Sequence, residues 1–457
     1  MSRPFEVRGV VEGFYGTPWT LDARSDVVDF MAALGMNAYV YAPKDDPFHR
    51  KRWREPYPDD LAAGLLATAE RARSQGVRFG YAVSPGLDID YGSRADREAL
   101  WSKLEGFVDE GVDWIVLAFD DVPLRPGSGA AQADLVTWLA GRTEAHVSVV
   151  PTDYVGCRPS DYLDALCSRL PVDVDVMWTG VTVVSPQITA ADAKERRAAT
   201  HDHPVLIWDN YPVNDAFMAP SLHLGPLVGR DPGLSEVCVG LLANPMSGAH
   251  ASTIALGTIA DYLLDPAGYD PVASWTRVLQ DVGGDDVAAL TSLARACAGS
   301  LLDERVPLHD LIDVWERAGS TAGASLDAIR VELEAAASLP DGLPPVLVDE
   351  VRPWAEQASR EASAGLAALS ALGAASSAPS TDPWSAVMGV MRALVMWSAA
   401  RAASDRVAFG ARFACYPGIV IDKDGDVAID PDLSLIEDAN AIDRLCRLAL
   451  RSAKASS

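Results

Sequence analysis

Apolar runs of four to eight residues alternate with amphipathic stretches through the first part of the chain. The runs are Val7–Phe14, Ala38–Ala42, Val77–Val83, Val112–Phe119, Ala145–Val150, Val174–Trp178, Val205–Trp208 and Val237–Ala243. Their length and continuous apolar character predict strands buried on both faces. Helix-spaced segments lie between them, among them Leu21–Leu34, Leu61–Ser74, Ala95–Val108 and Leu135–Ala140, with Gly35, Gly76 and Gly111 placed as C-terminal stops. Parallel strands need crossover helices, and eight such alternations over roughly 260 residues predict an α/β fold of the (β/α)8 TIM-barrel type.

Beyond about residue 280 the strand pattern fades and Ala-rich helical stripes replace it: Leu308, Leu311, Ile312 and Trp315; Leu326, Ile329 and Leu333; then Val387, Val390, Met391, Leu394 and Val395. They read as the core of a helical bundle. The expected division is a barrel over 1–280 and an α-helical C-terminal domain over 281–457. Breaks are expected at Leu339–Pro345 and at the Ala/Ser/Pro stretch Gly373–Pro383. A short hairpin is expected over Ile419–Asp430, turning at Asp424-Gly425. Its acidic residues lack the spacing and terminal Glu of a calcium loop.

The chain has 457 residues, 49% of them hydrophobic, and a formal net charge of −26. That charge, with no local Lys/Arg cluster against it, argues against nucleic acid or an anionic membrane surface as a partner. Cys157, Cys167, Cys238, Cys297, Cys415 and Cys446 show no paired metal-ligand spacing and read as buried free thiols. The N-terminal Met1-Ser2-Arg3-Pro4-Phe5-Glu6-Val7-Arg8 lacks a signal-peptide core, and no stretch approaches about 20 uninterrupted apolar residues. The expectation is a cytoplasmic protein.

Polar, Gly and Pro residues come after each predicted strand, and in a barrel those positions form the one face that carries active sites. Asp120-Asp121, at the end of the fourth strand, stands out. Two adjacent carboxylates resist ionising together, so one can remain an acid beside an anion, the couple that acid-assisted cleavage of an acetal needs. The alternatives are a sugar-binding or scaffolding barrel without activity and a Mg2+-dependent barrel enzyme using the same pair, although further strand-end carboxylates to complete an oxygen shell are lacking.

The strand-end strings, taken in order, carry a resemblance. Val10-Val11-Glu12-Gly13-Phe14-Tyr15-Gly16-Thr17-Pro18-Trp19, Tyr41-Ala42-Pro43-Lys44-Asp45-Asp46, Ala82-Val83-Ser84-Pro85-Gly86, Phe119-Asp120-Asp121, Trp178-Thr179-Gly180, and Trp208-Asp209-Asn210 with Asn214-Asp215 resemble glycoside hydrolase family 84, the O-GlcNAcase-like β-N-acetylglucosaminidases. The likeness runs from residue 5 to about 265. It implies a retaining exo-acting enzyme in which the 2-acetamido oxygen of the substrate is the nucleophile, an exception to the two-carboxylate scheme. It further implies that Asp120 orients the acetamido N–H, that Asp121 is general acid and then base, and that Tyr154 steadies the acetamido oxygen.

The same resemblance places Asn210 beside that group, Trp208 as the wall against its methyl, and Asp215 on the 4- and 6-hydroxyls. Gly13 through its carbonyl, Lys44 and Asn244 fall near the 3-hydroxyl. The plain alternative for Lys44 is an ion pair with Asp45 or Asp46. His49, His250, Asp45, Asp46 and Asp153 are expected to be structural. Substrates would be GlcNAc-bearing glycoproteins, glycopeptides or small glycosides, with no cofactor and no metal, and the helical region leaves room for a homodimer. Ala216-Phe217 and Met246-Ser247-Gly248 depart from the family pattern at the rim, which bears on aglycone preference.

Overall fold

The strands observed in the computed structural model are β1 (Val7–Glu12), β2 (Ala38–Tyr41), β3 (Arg78–Val83), β4 (Trp114–Ala118), β5 (His146–Val150), β6 (Asp175–Trp178), β7 (Val205–Asp209) and β8 (Gly240–Ala243). The structure describes residues 4–318, 323–376, 389, 392–393, 395–397, 399–400, 419–421, 427–429 and 441–455. The eight strands close in chain order into one parallel barrel, with β1 bonded to both β2 and β8, as the alternating pattern predicts. The predicted eighth strand begins too early. Val237 and Cys238 donate back to Leu234 (3.0 and 2.8 Å), so their N–H groups close a turn instead.

Helices α1 (Leu21–Ala33), α2 (Asp59–Ser74), α3 (Arg94–Asp109), α4 (Ser128–Ala140), α5 (Asp161–Cys167), α6 (Ala190–Ala199) and α7 (Ala249–Leu264) alternate with the strands. Several start on side-chain caps: Thr20, Ser93, Ser160 and Thr189 each accept a first-turn N–H. Gly35, Gly76 and Gly111 end the first three with φ of 74, 76 and 90°, a region that costs glycine little.

Strand periodicity sorts the side chains. Ala38, Val40 and Ala42 join Trp114, Val116, Ala118, Met177, Leu206 and Leu242 in one cluster that fills the barrel. Gly80 makes room for the largest of them, since a Cβ there would lie 3.1 Å from the Trp114 indole. At the C-terminal ends, two buried ion pairs brace the rim. Arg24 pairs with Glu12 of β1 (2.7 Å), and Arg230 grips Asp209 of β7 with two bonds of 2.7 and 2.8 Å.

The chain divides into two compact units. One runs to Met218 and resumes over Pro226–Val278; the other holds Ala219–Gly225 and the chain from Leu279 onward. The division expected from the sequence pattern, which puts Ala219–Gly225 in the barrel, differs there. In the second unit, which also holds the helix Val287–Ala296, helices Pro307–Ala318, Gly323–Ala337, Pro345–Ser376 and Ala441–Ala455 share a core that includes Leu308, Ile312, Ile329, Leu333, Leu369 and Leu445. The helix Pro345–Ser376 runs into the expected linker at 373–376. Of the third predicted stripe, Val395 is 62% exposed, and Val387, Val390, Met391 and Leu394 lie outside the described residues.

Strands Ile419–Ile421 and Val427–Ile429 pair antiparallel, while Asp422–Asp426 and Asp430 lie outside the described residues. Cys157, Cys167, Cys238, Cys297 and Cys446 are buried free thiols; Cys415 lies outside the described residues. Among the described residues no helix is long and apolar enough to cross a membrane.

Candidate active site

Loops at the C-terminal ends of the strands converge on a single pocket. Gly13, Lys44, Asp120, Asp121, Tyr154, Trp208, Asn210, Asp215 and Asn244 all line it, so every site residue named from the sequence meets there. Tyr15, Thr179, Val183, Val184 and Phe217 line it as well.

Lys44, on the loop after β2, does not pair with Asp45 or Asp46. Its ammonium bonds Asp120 Oδ2 instead and lies 5.4 Å from the centre of the Trp208 ring. Both partners are buried, with side chains 3% and 9% exposed. Asp120 Oδ1 is buried without a hydrogen-bond partner. Burying a carboxylate oxygen without a partner is costly, so Asp120 Oδ1 is an acceptor suited to an N–H or O–H donor. The neighbours expected to be structural do brace loops: Asp46 accepts from Tyr41 and Tyr57 (2.8 and 2.6 Å), Asp45 from the Gly16 N–H (2.9 Å), and Asp153 from Ser160 (2.6 Å).

Adjacent residues of an extended chain point to opposite sides, yet Asp120 and Asp121 both line the pocket. Asp121 has φ of 55°, in the left-handed region, and this local turn brings its carboxylate back toward the cavity. Such a conformation in a residue other than glycine costs roughly 1–3 kcal/mol and persists only where neighbours over-determine it. Tyr15 donates to Asp121 Oδ2 (2.7 Å) and Tyr154 to Asp121 Oδ1 (2.9 Å).

Burial pushes the Asp121 carboxyl up, but the charge of Lys44, the two tyrosine bonds and Arg50 together outweigh it and leave the group below the usual carboxylate range. Burial and the bond to Asp121 raise the Tyr15 phenol to about 12, and burial with the nearby charge of Asp121 raises that of Tyr154. Both phenols stay protonated donors. Burial, with repulsion from Asp121, raises Asp215, against the bond that Asp215 Oδ2 accepts from the Tyr15 N–H (2.8 Å).

The far wall is a chain of amides. Asn244 Oδ1 accepts from the Gly13 N–H (3.1 Å), and its Nδ2 donates to Asn210 Oδ1 (2.9 Å). Asn210 Oδ1 also accepts from Trp208 Nε1 (3.0 Å), while its Nδ2 donates to the Val183 carbonyl (2.7 Å). The indole of Trp208, which lines the pocket, is thereby tied to this amide chain. Gly13 packs so closely that a Cβ would sit 2.1 Å from Trp208 Cζ2.

His49 is fully buried, bonded through Nδ1 to the Ala82 carbonyl (2.9 Å), and burial followed by the Lys44 charge pushes it down to about 3, so it is neutral. His250 faces Asp26 at 3.2 Å. Among the described residues no group of three or more His, Cys, Asp or Glu side chains is arranged to hold a metal ion.

Sequence reasoning assigns no role to Tyr15 or Arg50. Tyr15 stands in the strand-end string Val10–Trp19, but Arg50 sits in an irregular loop where no periodicity marks it.

Known proteins share this architecture. The β-N-acetylglucosaminidase family model matches residues 8–295. The protein O-GlcNAcases of Rattus norvegicus and Mus musculus are each 34% identical over 276 residues, covering 56% of this chain and 29% of each relative, so the chain spans about three-tenths of their length. A mutant of the Thermobaculum terrenum O-GlcNAc hydrolase superposes with a TM-score of 0.82 at 30% identity, covering 99% of this chain and 96% of that one. CpGH84B superposes with a TM-score of 0.82 at 26% identity, covering 98% and 77%. The chain therefore belongs to the β-N-acetylglucosaminidases, the glycoside hydrolases of family 84.

Proposed function

We propose that this chain is a retaining exo-β-N-acetylglucosaminidase that removes terminal β-linked GlcNAc from protein Ser/Thr or from small glycosides by substrate-assisted catalysis. The observation that carries the reading is Asp120 Oδ1, a buried acceptor without a partner at the pocket, on a carboxylate whose other oxygen is held by Lys44. An acetamido N–H satisfies it. The anion then stabilises the positive charge that develops as the acetamido oxygen attacks the anomeric carbon and the oxazoline forms. Holding that oxygen in place draws on intramolecular effective molarities of up to about 10⁵–10⁸ M.

Asp121 donates its proton to the departing glycosidic oxygen, then removes one from the water that opens the oxazoline. In the resting pocket two tyrosine hydroxyls favour its anion. A phenol has one proton to donate, so when Tyr154 turns it toward the acetamido oxygen, Asp121 loses one bond to its charged form and its pKa rises. Substrate binding thus creates the acid. Trp208 lies flat against the acetamido methyl, with Asn210 beside it. Asp215 takes the 4- and 6-hydroxyls, and the Gly13 carbonyl, Lys44 and Asn244 lie near the 3-hydroxyl. Self-association through the helical unit accompanies this reading and is checked by sedimentation.

The direct test is an aryl β-GlcNAc beside the matching β-glucoside. Substrate assistance requires the acetamido group, so only the first should turn over appreciably; comparable rates on both would refute the mechanism.

A further inference from the structure

Arg50 has no place in the roles above, yet it is 8% exposed and its guanidinium bonds two residues that line the pocket. It donates through Nη1 to the Tyr15 hydroxyl (2.7 Å) and through Nη2 to the main-chain oxygen of Asp121 (3.0 Å). A guanidinium can only donate, so it takes a lone pair of the Tyr15 oxygen and leaves that phenol's proton for Asp121 Oδ2, 2.7 Å away. The same fork holds the carbonyl of the residue whose left-handed backbone turns the carboxylate into the pocket.

We infer that Arg50, acting directly on the Asp121 peptide and through Tyr15 on its carboxylate, is a positioning residue for the group that handles the proton. This rests on the acid–base reading of Asp121. Arg50 is not among the residues that line the pocket. Its work is to aim the carboxylate and to bias its charge. The charged and titratable groups facing Asp121 are Tyr15 from the β1 loop, Lys44 and Arg50 from the β2 loop, Asp120 beside it, Tyr154 from the β5 loop and Asp215 from the β7 loop. Lys44 acts on Asp121 through its charge while bonding Asp120, and Arg50 is the cation hydrogen-bonded to Asp121 and Tyr15 themselves. Chains of hydrogen bonds polarise one another, so the charge of Arg50 reaches the carboxylate through the phenol.

The test uses Arg50→Met, Arg50→Lys, Tyr15→Phe and Asp121→Ala in the full chain. Each is assayed on aryl β-GlcNAc substrates of graded leaving-group acidity and across pH. Arg50→Met removes charge and aim together. Its kcat/KM should fall on the order of 10²-fold for poor leaving groups, much less for dinitrophenyl, and the basic limb of its pH profile should move to higher pH as the Asp121 anion loses support. Arg50→Lys keeps the charge, but one ammonium cannot span hydroxyl and carbonyl; the rate loss should persist with the limb near its wild-type position. If Arg50→Met fails to fold, Tyr15→Phe decides, since it cuts the same chain with little change in volume and should also move the limb upward.

Losses equal across leaving groups with an unmoved limb in Arg50→Met, or in Tyr15→Phe where it decides, while Asp121→Ala keeps a steep leaving-group dependence, would overturn the positioning role. An Asp121→Ala loss that ignores the leaving group would overturn the acid–base reading instead.

Discussion

Replacing Asp121 by Asn separates its chemistry from its structural part. The carboxylate accepts two bonds, 2.7 Å from Tyr15 and 2.9 Å from Tyr154. An amide of the same shape accepts one of them through Oδ1 and presents Nδ2 to the other tyrosine, whose oxygen can accept once its hydroxyl turns. The folding cost is therefore at most one hydrogen bond, about 1 kcal/mol, while the ability to give and take a proton is lost entirely. A positioned acid contributes roughly 10²–10⁴-fold, about 2.7–5.4 kcal/mol of transition-state free energy. That loss should fall on substrates whose leaving oxygen must be protonated, such as a GlcNAc-modified serine peptide. Dinitrophenolate departs as an anion without needing that proton, so its glycoside should lose under about tenfold in kcat/KM. The assay is kcat/KM against leaving-group pKa, shallow for the wild type and steep for the variant. Asp120→Asn, which disturbs the attack itself, should lower every substrate alike, on the order of 10²–10³-fold. Equal losses on activated and natural substrates for Asp121→Asn would refute the reasoning.

The same geometry sets further outcomes. The resting pocket holds Asp121 below the usual carboxylate range, and bound substrate takes one tyrosine bond away. Because the acid must be protonated to act, activity is lost as pH rises through its pKa, and the basic limb of kcat, set by the complex, should lie above that of kcat/KM, set by the free enzyme; coincident limbs would count against diversion of Tyr154. Arg230→Met leaves Asp209 buried and unpaired, and urea unfolding should show a loss of about 3–5 kcal/mol, with Arg230→Met/Asp209→Leu recovering much of it. Gly13→Ala drives a methyl into Trp208 and should raise KM for N-acetyl substrates by roughly tenfold or more, read against a thermal melt that moves far less; an unchanged KM would mean that Trp208 does not wall the substrate.

Much of the site was legible because a barrel converts order along the chain into place in space. Each strand delivers its next few residues to one rim, so the strings after β1, β2, β4, β5, β7 and β8 could be read as neighbours before any contact was known. The partners were not legible. Lys44 has two aspartates beside it in sequence and pairs with neither, because closure of the barrel sets the β2 loop across from Asp120. Arg50 carried no signal, and neither did Arg230, whose partner Asp209 lies 21 residues earlier at the end of β7. Val395 shows the same limit, since a helical stripe marks an apolar face without saying whether anything covers it.

The sequence by itself determined the elements, their order, the closed sheet and the residue types that gather at its C-terminal rim. These depend on local periodicity and on the short reach of chain connections. Tertiary structure alone decided which charges meet, which oxygen of Asp120 is left without a donor, and how the left-handed backbone at Asp121 turns two consecutive carboxylates into one pocket. Those outcomes depend on distances between loops far apart in the chain. A few ångströms across the barrel mouth divide an ion pair from a solvated charge, and no local pattern encodes that separation.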